Sequence, residues 1–177
     1  IGTLVALPEG DQPAALTGSF VSAPCVMAYS YGTSTVGNLV FDRELLDINP
    51  AVDQFLDPAG QPVQMIWTRN GTTLLNAVMG LLREARGDAS IADTFAALMP
   101  LAQQAADTVP ATGVNTAQNC GGLLGVPFMS IEPGMGFPTN GVAFLAGLTR
   151  SNMTVGNIVH LTFLLSVFGL RNGLDVL

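Results

Sequence analysis

Lysine is absent from this chain. All six cationic side chains are arginines set against thirteen carboxylates, for a formal net charge of −7. A nucleic-acid surface needs a basic face to neutralise phosphates. Six scattered arginines do not make one, so no nucleic-acid partner is expected. Without lysine there is no Schiff-base chemistry and no P-loop lysine. Histidine occurs once, at His160, which excludes a zinc site built on several histidines. The two cysteines, Cys25 and Cys120, form no CxxC pair, so a cysteine-rich metal site is also excluded. One tryptophan and two tyrosines are few for a groove that stacks sugars on aromatic platforms. Charged residues make up 11% of the chain, less than half the usual share of about 25%.

What is present is apolar. Hydrophobic residues account for 49% of 177 positions, which excludes disorder and suits one domain over residues 1–177. A composition shift near 109–110 marks the alternative boundary. From Thr108 to Thr149 the only charged residue is Glu132, and glycine and proline punctuate the run. Irregular backbone is expected there, with a short helix near 143–148.

The best-organised stretch is a helical hairpin. Leu74, Leu75, Val78, Leu81, Leu82 and Ala85 recur at the spacing of one helix face. Asn70-Gly71 is a turn pair, and Thr72 or Thr73 suits the N-cap. Gly87-Asp88 ends this helix. Ser90 and Asp93 then have the spacing of a capping box. Ile91, Phe95, Leu98 and Met99 form the second apolar face, and Pro100 should kink or restart that helix. Residues 1–40 read as strands and turns, with Pro24 placing its segment at an edge. Val36–Phe41 and Val63–Trp67 are further strands. Residues 151–170 carry no charge but are interrupted by polar side chains. They read as a buried C-terminal helix ending at Gly169, not a membrane span. The expected fold class is α+β and α-rich: N-terminal strands packed on the hairpin and a buried C-terminal helix.

Candidate chemistry is sparse. Ser30-Tyr31-Gly32-Thr33-Ser34 lacks the glycine-flanked serine of a nucleophile elbow. Asp42, Glu44 and Asp47 begin an acidic segment reaching Asp57. Its interleaved Leu45, Leu46, Ile48 and Val52 read as a solvated face over a buried one, with a weak alternative as calcium ligands. Glu132 and His160 are the two isolated titratable groups, and together they would make an acid–base couple. His160 alone reads as a core residue. As a haem ligand it lacks an attached CxxCH, and no cofactor is expected. Cys25 and Cys120 are expected to pair as a disulfide, which with the low charge leads to an extracytoplasmic or secreted location. The leading functional expectation is a structural or assembly subunit working through apolar protein contacts or self-association. The alternatives are a carrier of an apolar small molecule or lipid, and an enzyme using Glu132 and His160. No ligand-binding residue is identified.

Overall fold

The computed structural model describes residues 10–19, 21, 23–43, 52–107, 120–132 and 141–175. Helix α1 (Asp11–Gly18) precedes strands β1 (Met27–Tyr31), β2 (Thr35–Val40), β3 (Asp53–Leu56) and β4 (Pro62–Thr68). Helices α2 (Thr73–Arg86) and α3 (Ile91–Asp107) follow, then short strands β5 (Leu124–Val126) and β6 (Phe144–Ala146) and helix α4 (Val155–Leu174). The protein is α+β and α-rich, with a four-stranded antiparallel sheet in the order β1-β2-β4-β3 and a two-stranded β5-β6 ribbon.

Alternation along β2 and β4 sends side chains to both faces of the sheet. One face packs Val40 and Val63 against Leu16 of α1. The other buries Ile66 and Leu170 together, so α4 lies across it. The approach is close because the helix presents glycines. A Cβ at Gly169 would stand 3.2 Å from Thr68 Cγ2, and one at Gly173 would stand 3.0 Å from Ile66 Cβ. Gly169 therefore does not end the helix as its sequence position suggests. It lets the helix continue over the sheet to Leu174.

The hairpin forms. Leu75 and Met79 of α2, Leu98 and Ala102 of α3 and Val159 of α4 make one buried cluster. Each such leucine contributes about 1.5–3 kcal/mol by leaving water. Gly87 takes a left-handed φ of 72° and closes α2, its N–H donating to the Arg83 carbonyl. Ser90 and Asp93 form the reciprocal capping box: Ser90 Oγ accepts from Asp93 N at 3.2 Å, and Asp93 Oδ2 accepts from Ser90 N at 3.1 Å. Pro100 lies inside an uninterrupted α3. It forgoes one backbone bond, but Leu98 and Ala102 on either side are held in the core against α4, and that packing outweighs the loss.

Three further expectations are corrected. Residues 11–18 are helical, where strands and turns were expected. Residues 144–146 form β6, not a helix, because they pair with β5 in the register Leu124↔Ala146. The disulfide is not formed. Cys25 is an exposed free thiol in the turn before β1, and Cys120 is a fully buried free thiol packed with Leu123, Leu161 and Leu165. The boundary near 109–110 and the first nine residues of the segment read as strands and turns lie outside the described residues.

Candidate functional site: the turn between β1 and β2

Strands β1 and β2 are joined by Gly32-Thr33-Ser34. This turn is not free-standing, because the connection from β4 to α2 lies against it. Gly32 O accepts from Thr72 N at 2.9 Å, and Thr33 O accepts from Gly71 N at 2.9 Å. Thr73 Oγ1 also reaches Thr33 O at 3.4 Å. The sheet dictates this meeting: Thr35 and Thr68 are cross-strand partners, so the residues just beyond each strand end must face one another. Gly71 is required at the crossing, since a Cβ there would collide with Gly32 O and Thr35 Oγ1.

The result is a small concentration of donors. The backbone bonds of Gly71 and Thr72 to this turn bring the hydroxyl-bearing residues Thr33 and Ser34 beside Thr72 and Thr73, where α2 begins. The amides of the first turn of α2 have no acceptor inside the helix. Thr72 holds the N-cap position without capping those amides; its Oγ1 accepts instead from Asn76 Nδ2 at 3.1 Å. The start of a helix beside a glycine-containing turn with hydroxyl-bearing residues suits an anion.

Glu132 lies behind this crossing, with 0% of its surface exposed. Its Oε2 accepts from Thr68 Oγ1 at 2.5 Å, Arg69 N at 2.9 Å, Asn70 Nδ2 at 2.9 Å and Asn70 N at 3.2 Å. Asn70 completes the tie by accepting from Ser130 N at 2.8 Å and donating to Ser130 O at 3.1 Å. Glu132 Oε1 is buried with no partner. On the other side of the turn, the Tyr31 hydroxyl hydrogen-bonds Ser166 Oγ, and Ser166 Oγ reaches the Phe163 carbonyl at 2.5 Å. The Tyr31 ring packs against Phe163 and Tyr29. Partial burial, with Tyr31 alongside, raises the Tyr29 pKa above its ordinary 10.

Glu132 and His160 share no hydrogen bond: the Glu132 bonds run to residues 68–70, and His160 Nε2 is buried without a partner. Thr68, which holds Glu132, touches α4 at Gly169. That position is roughly 13 Å along the helix axis from residue 160 at 1.5 Å per residue. Burial lowers the His160 pKa below its ordinary 6.5. Asp42 is exposed, Glu44 and Asp47 lie outside the described residues, and no group of three or more potential metal ligands occurs among the described residues. An open cleft of about 460 Å³, lined by Phe41, Asp42, Arg43, Leu56 and Gln61, sits at the opposite end of the β2–β4 pair.

Sequence reasoning overlooked Thr68, Asn70, Gly71 and Thr72 as parts of a site. Asn70-Gly71 was legible as a turn, but its meeting with Gly32-Thr33 is a product of strand pairing.

No protein-family model matches the sequence, and no curated protein matches it. Solved structures do. The chain superposes on xylulose kinase from Bifidobacterium adolescentis with a TM-score of 0.66 and 24% identity, covering 94% of this chain and 29% of that one. On xylulose kinase from Rhodospirillum rubrum the TM-score is 0.72 with 20% identity, covering 94% and 30%. On gluconate kinase from Lactobacillus acidophilus it is 0.56 with 19% identity, covering 81% and 26%. The chain thus spans under a third of the length of these enzymes, and the likeness is one of fold. It overturns the expectation of a structural subunit or an apolar carrier. The secreted, disulfide-bonded character is overturned as well, since its premise, the Cys25–Cys120 bond, is not formed. No helix among the described residues is long and apolar enough to cross a membrane.

Proposed function

We propose that this chain is one folding unit of a kinase that phosphorylates a small sugar or sugar acid. In this reading the Gly32-Thr33-Ser34 turn, with Gly71 and Thr72 behind it, receives a phosphate of the nucleotide donor. The observation that carries the reading is the superposition of 94% of the chain on sugar kinases. The turn supports it chemically. Phosphoryl transfer is catalysed chiefly by positioning and charge stabilisation. Glycine lets the backbone come close to a phosphate, and amides and hydroxyls supply donors without needing lysine. Glu132 is fully enclosed and committed to four donors. It is therefore assigned no role in taking the proton from the sugar hydroxyl, and that base is placed outside this turn. Leu81, Leu124, Phe144 and Met153 are each more than half exposed. In a kinase-sized assembly they would be covered by the remaining chain or by a protein partner, while residues 1–177 act as a single unit.

The test is a titration of the protein with ADP, followed by amide chemical shifts. Saturable changes are expected at Gly32, Thr33, Ser34 and Gly71 to Leu75, with inorganic pyrophosphate competing. The double variant Thr33→Ala, Ser34→Ala should keep the fold and weaken ADP at least tenfold. No saturable response at millimolar ADP, or a response centred on the cleft beside Arg43, would refute the reading.

A further inference from the structure

We propose that Glu132 is a positioning residue that holds the phosphate-receiving turn in shape by gathering the β4–α2 connection onto one carboxylate oxygen. This rests on the reading above for its ligand but on separate observations for its geometry.

Three consecutive residues, Thr68, Arg69 and Asn70, direct donors to Glu132 Oε2. The two residues that follow, Gly71 and Thr72, donate to Thr33 O and Gly32 O. The chain of contacts therefore runs from the carboxylate, through five consecutive residues, to the turn. Oxygen bearing negative charge is the acceptor best able to draw several donors together. The Arg69 amide donates to it at 2.9 Å, and the Asn70 amide divides itself between the carboxylate and the Thr68 hydroxyl, each at 3.2 Å. Without Glu132 the connection loses its fixed point, and the turn loses the backing that aligns its donors.

The carboxylate takes part in no ion pair among the described residues; those present are Arg86–Asp88 and Arg171–Asp175. An enclosed carboxylate outside any ion pair is costly unless hydrogen-bonded, and its presence in a segment with no other charge points to a task beyond packing. Because Oε1 has no partner, the hold runs through Oε2 alone. Glutamine can place its carbonyl oxygen at the Oε2 position and its amide at the vacant one. Alanine cannot.

The experiment compares the unaltered protein with Glu132→Gln and Glu132→Ala, using amide hydrogen exchange, melting temperature and ADP affinity. Exchange at residues 69–72 and 32–34 should accelerate at least tenfold in the alanine variant and only two- to threefold in the glutamine variant. ADP affinity should fall in the same order, by more than tenfold and by about threefold, while exchange in α3 stays unchanged. If the alanine variant does not fold, Thr68→Val with Glu132→Gln carries the same test. Unchanged exchange at residues 69–72 and 32–34 in a folded variant overturns the positioning role whatever the nucleotide does. Altered exchange with no ADP binding even by the unaltered protein upholds the positioning and sinks the phosphate reading instead.

Discussion

Replacing Gly156 by alanine sets two effects of opposite sign against each other. Alanine is a better helix former than glycine by about 1 kcal/mol in a helix interior. Gly156 lies in the first turn of α4, where less than that full gain is realised. Against it stands contact with α3. A Cβ on Gly156 would lie 2.6 Å from the Leu101 carbonyl oxygen and 3.1 Å from its carbon. These are backbone atoms in the middle of a helix and cannot swing aside, so the helices must separate at the cluster holding Leu98, Ala102 and Val159. Overpacking of this kind costs about 1–3 kcal/mol. The net expectation is a loss of about 1–2 kcal/mol, which for a chain of this size lowers the melting temperature by roughly 2–8 °C. Gly80→Ala is the matched control. Gly80 lies in the interior of α2, and a Cβ added there would meet nothing within 4 Å. Only the propensity term applies, so a gain of about 0.5–1 kcal/mol is expected. Thermal melts and urea titrations of both variants decide the matter. If Gly156→Ala is as stabilising as Gly80→Ala, α3 and α4 do not approach as closely as this reasoning requires.

Two further outcomes follow from single side chains. In native protein at pH 8 a thiol reagent should modify Cys25 and spare Cys120, whose pKa burial pushes up to about 11; two reactive thiols should appear in denaturant without reductant, and none would mean a disulfide. His160, with its pKa lowered by burial, is favoured neutral in the folded state. The unfolded chain then binds the proton more readily, so stability is complete above about pH 6.5 and declines as pH falls towards the folded value. Urea midpoints at pH 7.5 and 5.5 should show the advantage of the unaltered protein over His160→Gln shrinking at the lower pH, and a growing advantage would reverse that sign.

Local signals read well where the chemistry is local. The helical hairpin follows from a 3.6-residue period, a glycine stop and a Ser90–Asp93 cap, each complete within a few residues. Val63 to Trp67 follows from strand alternation in the same way. Reading failed where a distant element set the outcome. Pro100 and Gly169 both look like terminators, yet α3 and α4 run through them because packing on other elements exceeds the local penalty. The segment at 144–146 took its conformation from β5, twenty residues earlier. Charge and cysteine content suggested a secreted protein, but composition does not determine which thiols meet.

Glu132 shows the division most sharply. Its isolation in an uncharged segment is plain from the sequence, which therefore determined that it was unusual and that the chain would build an apolar α+β core. Which groups it would meet was decided by the tertiary structure. Strand pairing of Thr35 with Thr68 brings the β1–β2 turn to the β4–α2 connection, and the 130–132 segment then closes behind them. Residues 32, 71 and 132 are far apart along the chain, and their hydrogen bonds exist only once the sheet has set their register.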